Sequence, residues 1–309
     1  MVDFRYKKLG YVALNVTDLA RAAGFHLDTV GLTLTPGAAV NGAEPLMLRT
    51  PGAYCDLAIY SHSEPGLRRI AFEMETERDL DKARTQLGRI GLRTWEVPDS
   101  ERKLFKQRSG TRFVEPYSSL TIELYTGDEV QVARGGNQNE QCHVNLTRLG
   151  HVVISLVEAK SVVKFFTEDM NFRISDRIDD NVVFLRCFPN PLHHSLGIGP
   201  GKENRLHHVN FMADHLDDLG RALNLLKTKD IPIVFGPGRH PPSGSVFLYF
   251  LDPDGLTFEF SSGMEEFPEH SPREPRTMAP TMASSDYWGG TVDPRLGAKG
   301  RFFSADRPL

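Results

Sequence analysis

Three residues in the second half of this 309-residue chain are of the type that holds a metal: His151, His208 and Glu259. Two imidazoles and one carboxylate form the donor set that binds Fe(II) on one face and leaves three neighbouring positions open; Mn(II) fits the same donors. A single strand histidine is usually a hydrogen-bonded core or surface residue, so none of the three argues alone. Their settings argue together. His151 and His208 each sit early in an alternating strand pattern, and Glu259 follows the turn Asp252-Pro-Asp-Gly255. Period-2 alternation lets each strand deliver its residue to a chosen side. Three more residues could complete a site: His194 in a strand entry, His240 in a Gly/Pro-rich loop, and Tyr249 in the strand before the Glu259 hairpin. Each has a plain alternative, a solvated loop histidine or a core aromatic with a satisfied hydroxyl.

The elements that must position these residues occur twice. Gly10-Tyr-Val-Ala-Leu-Asn-Val16 matches Gly150-His-Val-Val-Ile-Ser-Leu156, and Leu67-Arg-Arg-Ile-Ala-Phe72 matches Leu206-His-His-Val-Asn-Phe211. Leu80, Ala83 and Leu87 match Leu219, Ala222 and Leu226 at helical spacing, and Ser118–Leu124 matches Asp254–Phe260. At the positions of His151, His208 and Glu259 the first copy carries Tyr11, Arg69 and Glu123. A guanidinium is always cationic and repels a metal, so the first copy reads as disarmed.

Each copy reads as two βαβββ modules. The expected fold is α+β: two tandem domains at 5–127 and 148–263, a polar linker at 128–147, and a proline-rich arm at 264–309. Pro268, Pro272, Pro275 and Pro280 exclude long helices from the arm, while Tyr287-Trp288 and Phe302-Phe303 predict that parts of it dock. A net charge of −4 argues against nucleic acid or anionic membrane as partners. No apolar run reaches the length of a membrane span and no signal peptide is evident. Three widely spaced cysteines, Cys55, Cys142 and Cys187, suit a reducing cytoplasm without a disulfide framework.

The combined pattern Leu149-Gly-His151, His194-Ser-Leu-Gly-Ile, Leu206-His-His208-Val-Asn-Phe, Gly238-Arg-His240, Tyr249, Asp252-Pro-Asp-Gly255 and Phe258-Glu259 resembles the type I extradiol ring-cleavage dioxygenases of the vicinal oxygen chelate superfamily. The resemblance spans nearly the whole chain up to Gly263. It implies a funnel-like incomplete barrel in each domain, with metal only in the C-terminal one. It also implies Fe(II), or Mn(II), as cofactor, a catecholic substrate with O₂, aromatic catabolism, and assembly as a homo-oligomer. His194 would be the acid–base histidine, with His240 and Tyr249 hydrogen-bonded to substrate oxygens. Two assignments rest on the family pattern. Adjacent strand residues face opposite sides, so one of His207 and His208 reaches the metal; the ligand precedes Val, which selects His208 over His207. His194, before Ser-Leu, is taken as the active-site residue and His193 as its neighbour. The segments 261–268 and 285–290 suggest a substituted monocyclic or carboxylated catechol, with a dihydroxybiphenyl-type substrate as the alternative. From other classes, the superfamily fold also serves metal-dependent isomerases and lyases and metal-free binding proteins.

Overall fold

The computed structural model describes residues 2–38, 40, 44–128 and 144–303; Cys142 and most of the expected linker, residues 129–143, fall outside them. Four βαβββ modules follow one another. The first runs from strand Tyr6–Val16 through helix Leu19–Phe25 and a wider turn His26–Val30 to strands Thr33–Leu34, Leu46–Arg49 and Leu57–Ser61. The second begins with strand Gly66–Met74 and helix Glu77–Arg89 and ends with strand Thr121–Gly127; it carries an additional helix, Asp99–Phe105. The third opens with strand Leu146–Leu156 and helix Ala159–Glu168, then strands Phe172–Ile178, Val182–Cys187 and Leu196–Pro200. The fourth has strand Arg205–Ala213, helix Leu216–Thr228, and strands Ile233–Arg239, Val246–Leu251 and Thr257–Ser262.

Modules join in pairs through their first strands. Tyr6–Val16 lies antiparallel to Gly66–Met74, and Leu146–Leu156 antiparallel to Arg205–Ala213. Within each module the last strand returns parallel to the first, as Thr121–Gly127 does beside Gly66–Met74 and Thr257–Ser262 beside Arg205–Ala213. No pairing among the described residues joins the outer strands, so each half is an open, curved sheet. The repeat extends to register: Ala13 faces Arg69 as Val153 faces His208. The next pairs are Leu14 with Leu67 and Ile154 with Leu206, so Arg68 and His207 are each one residue too many for the ladder. Both are β-bulges, which bend the strand and re-aim its side chains.

Local sequence explains why these elements end where they do. Thr76 caps helix Glu77–Arg89 by accepting from the amide of Asp79, with Glu77 and Asp79 in the first turn and Arg89 in the last. Asp252 Oδ1 accepts from the amides of Asp254 and Leu256, and Gly255 takes φ +83°, fixing the hairpin before Glu259. Gly150 has a packing reason: a Cβ there would lie 2.1 Å from Asn210 Oδ1. Without that glycine the strand of His151 could not lie so close to the strand of His208.

One continuous apolar cluster runs through both halves. Tyr6 meets Phe72 and Phe172 edge-on, with centroids 5.9 and 5.1 Å apart, and Phe25 lies 6.2 Å from Phe250. A fully buried phenylalanine contributes about 1.5–3 kcal/mol by desolvation, so this seam holds the halves together. The C-terminal segment forms strand Arg276–Met278, parallel to Phe172–Ile178, a four-residue helix Met282–Ser285, and strand Arg301–Phe302, which pairs with both halves. Phe303 docks as expected, its ring 4.6 Å from that of His62. Tyr287 and Trp288 do not: their side chains point outward, 66% and 53% exposed. That stretch is held instead by Asp286, which accepts from the amides of Arg239, Trp288 and Gly290.

Candidate active site

His151, His208 and Glu259 converge from three neighbouring strands, all buried. The Nε2 atoms of the two histidines are 3.1 Å apart, and they lie 2.9 and 3.2 Å from Oε2 of Glu259. Donors about 2.1 Å from a shared ion and at right angles stand about 3.0 Å apart; tetrahedral donors would stand about 3.4 Å apart. The observed spacing is that of three cis positions. Among the described residues neither oxygen of Glu259 has a hydrogen-bond partner of good geometry despite this crowding. Three buried metal-donor groups brought this close, one of them a carboxylate, leave the place of a cation between them. The electrostatics agree. Burial pushes His151 down to about 4, against the pull of Glu259. Burial alone would raise the Glu259 carboxyl, but His151, His208 and His240 hold it well below the usual carboxylate range. Neutral imidazoles and an ionised carboxylate are the forms that bind a divalent ion.

The other three expected residues surround this trio. The ring of His194 lies 3.9 Å from that of His151 and 4.9 Å from Phe184. Burial, then the neighbouring His151 and His193, press its pKa well down. Tyr249 stands directly opposite Glu259 across the hairpin, and its hydroxyl lies 3.0 Å from His240 Nε2. His240 Nδ1 lies 2.6 Å from the carbonyl of Ser285. A carbonyl only accepts, so Nδ1 of His240 donates to it and Nε2 is turned to the Tyr249 hydroxyl. His240 also stacks on Phe247 at 3.9 Å.

Strand alternation fails at one point. His207 and His208 both border the cavity, because the bulge at His207 breaks the two-residue period. His208 joins His151 and Glu259, while His207 Nδ1 lies 2.7 Å from His208 Nδ1. With a metal on Nε2 of His208, its Nδ1–H would donate to His207, the arrangement that orients a metal-binding imidazole.

His151 and His208 open on a cavity of about 310 Å³. Its apolar wall comes from Ile178, Val182, Phe184 and Phe235 and, from the C-terminal segment, Met282, Val292 and Leu296. No Lys or Arg is among its described lining residues. Sequence reasoning missed the contacts of His193, which lies 3.0 Å from His194 on one side and 3.0 Å from Asp176 on the other. An aspartate inside the buried strand Phe172–Ile178 was the available signal.

In the first half, Tyr11, Arg69 and Glu123 also come together. The Tyr11 hydroxyl donates to Glu123 Oε1 at 2.8 Å and accepts from Arg69 Nε at 2.8 Å. Arg112 Nε reaches Glu123 Oε2 at 2.7 Å, and Gln107 reaches Oε1 at 2.6 Å.

Comparison with known proteins places these observations. The profile of the Glyoxalase/Bleomycin resistance protein/Dioxygenase superfamily matches residues 148–260, which form a domain of that superfamily. A manganese-dependent 2,3-dihydroxybiphenyl 1,2-dioxygenase of Geobacillus genomosp. 3 is 26% identical over 83% of this chain and 85% of its own. An iron-dependent extradiol dioxygenase of Rhodococcus jostii is 23% identical over 82% and 88%. The solved structure of a Mn(II)-bound glyoxalase from Novosphingobium aromaticivorans superposes with TM-score 0.78 at 26% identity, over 99% of this chain and 96% of that one.

Proposed function

We propose that this protein is an extradiol dioxygenase that opens the ring of a catechol with O₂, using Fe(II) or Mn(II) held by His151, His208 and Glu259. The observation that carries this reading is the trio at mutual 2.9–3.2 Å, flanked by His194 and the His240–Tyr249 pair, at the base of a mostly apolar cavity. Bound metal would supply Lewis acidity that lowers the pKa of a chelated hydroxyl and open positions for diol and O₂. The protein supplies the rest. His240 and Tyr249 hydrogen-bond substrate oxygens, His194 exchanges protons across the cavity, and the apolar wall excludes water. The relatives' names, one iron-dependent and one manganese-dependent, support either metal.

The substrate we favour is an uncharged, substituted monocyclic catechol. A cavity of about 310 Å³ leaves room beyond one ring, and dihydroxybiphenyl is the alternative. The carboxylated class loses support, because no cation among the described lining residues would meet a carboxylate. An isomerase reading draws on the glyoxalase relative, but His194, His240 and Tyr249 suit oxygen chemistry better. No helix among the described residues is long and apolar enough to cross a membrane. A cytoplasmic, homo-oligomeric enzyme with repeats at 5–127 and 148–263 belongs to the same reading; buried free Cys55 and Cys187 support the reducing compartment.

The test is anaerobic loading with Fe(II) or Mn(II), then catechol, 3-alkylcatechol, dihydroxybiphenyl and a carboxylated catechol, each followed by O₂. Growth of a yellow semialdehyde absorbance is expected, weakest with the carboxylated substrate. No ring-opened product from any of them, with turnover of a hemithioacetal instead, would replace the dioxygenase by an isomerase.

A further inference from the structure

His194 has a polar chain behind it that leads away from the cavity. Its Nδ1 lies 3.0 Å from Nδ1 of His193, and Nε2 of His193 lies 3.0 Å from Oδ2 of Asp176. Asp176 and His193 have no solvent exposure. Asp176 also accepts from Arg273 at 2.9 Å on both oxygens, from the Arg276 amide at 2.7 Å and from Arg276 Nη2 at 2.6 Å. Burial alone would raise this carboxyl; His193, Arg273 and Arg276 together drive it far below the usual range. Asp176, His193 and Glu265 are spaced closely enough for a cation, but Arg273 already provides one, bonded to Asp176 and at 2.6 Å to Glu265. The cluster is a finished ion network.

The direction of each hydrogen bond is then fixed. An ionised carboxylate only accepts, so Nε2 of His193 carries a proton. Burial, against the pull of Asp176, disfavours imidazolium at His193. Its Nδ1 is therefore a lone pair, and the bond at 3.0 Å requires the hydrogen to sit on Nδ1 of His194. His194 lines the cavity, so its remaining nitrogen is the one available to a ligand there.

We propose that Asp176 and His193 are positioning residues that set the tautomer of His194, leaving Nε2 unprotonated toward the cavity, and that Arg273 and Arg276 of the C-terminal arm fix this polarity. A substrate hydroxyl entering the cavity then donates a hydrogen bond to His194 and cannot receive one from it. This rests on the reading of His194 as the group that meets substrate. The tautomer itself does not.

The experiment uses full-length protein labelled with ¹⁵N-histidine, metal-free and loaded with diamagnetic Zn(II), with two-bond ¹H–¹⁵N spectra to read each ring. His194 is expected as the Nδ1–H form and His193 as Nε2–H. His193→Leu removes the acceptor: His194 should redistribute toward Nε2–H. Ring-cleavage kcat should fall about 10–100-fold with KM for the catechol changed less than about 3-fold. His193→Asn places Oδ1 where Nδ1 was and should restore both tautomer and most of kcat. Wild-type His194 in the Nε2–H form overturns the proposal, as does a folded His193→Leu with unchanged tautomer and kcat. If His193→Leu fails to fold, the wild-type spectrum and His193→Asn still decide. An Nδ1–H His194 in a protein that opens no catechol ring would overturn the dioxygenase reading and leave the tautomer assignment standing.

Discussion

The two halves offer nearly the same backbone to two different centres. Both have the same strand pairing, the same register and a bulge at the same place, at Arg68 and at His207. In the first half the cation at the centre is part of the chain: Arg69 and Arg112 surround Glu123. In the second half no guanidinium among the described residues is paired with Glu259, and His151 and His208 face a cavity. The buried carboxylate recurs and the cation differs, because an isolated ionised carboxylate cannot stay buried uncompensated. The difference teaches that the first centre is closed by its own charge, whereas the second requires one from outside.

Moving the first half's residue into the second breaks this comparison most severely. His208→Arg should satisfy Glu259 internally, abolish bound iron and remove essentially all ring cleavage, measured by metal analysis and oxygen uptake. Chelator should lower the Tm of the wild type and not of the variant, because only the former gains stability from metal. Retention of stoichiometric iron by His208→Arg, or by Glu259→Ala, would remove the trio from the mechanism. His194→Ala keeps all three donors, so iron should stay while kcat falls about 10²–10⁴-fold, the range of general acid–base groups. Normal turnover with iron retained would leave His194 merely structural.

In the first half the cost should appear in stability alone. Arg69→Ala leaves Glu123 partly uncompensated in the core and should cost about 3–5 kcal/mol in urea unfolding, with metal content unchanged. A small loss would mean that Arg112 suffices. The smallest effect concerns Asp176. Its folded pKa is depressed, so its contribution is complete above the unfolded value near 4 and is lost as pH falls toward the folded pKa. Asp176→Asn should therefore cost about 2 kcal/mol at pH 7. The gap from wild type should shrink toward pH 3, and a pH-independent gap would show that the charge contributes nothing.

Much of this site was legible in the sequence because its signals are local. Donor type, strand alternation and an offset of 136–140 residues between copies name His151, His208, Glu259 and their counterparts. The same alternation misleads at His207, since a bulge depends on the partner strand's length and leaves no mark of its own. The roles of His193 and Asp176 were hidden for another reason. Their partners Arg273 and Arg276 lie 97 and 100 residues beyond Asp176, in a segment whose prolines predict only an irregular path. Tyr287 and Trp288 looked like anchors from hydrophobicity, but the anchoring falls to Asp286 and backbone amides.

The strand Arg276–Met278 and the carbonyl of Ser285 have a consequence for the order of assembly. During synthesis from the N-terminus, every member of the trio emerges before residue 263, and every group that wires His193 and His240 from the arm emerges after it. A nascent chain can thus hold the site's charge before it can direct the site's protons. A chain ended after Gly263 is expected to keep metal affinity within about 10- to 100-fold of the full protein, since only outer hydrogen bonds are lost, yet to turn over poorly. Iron binding lost altogether on truncation would show that the arm builds the donors as well as orienting their neighbours.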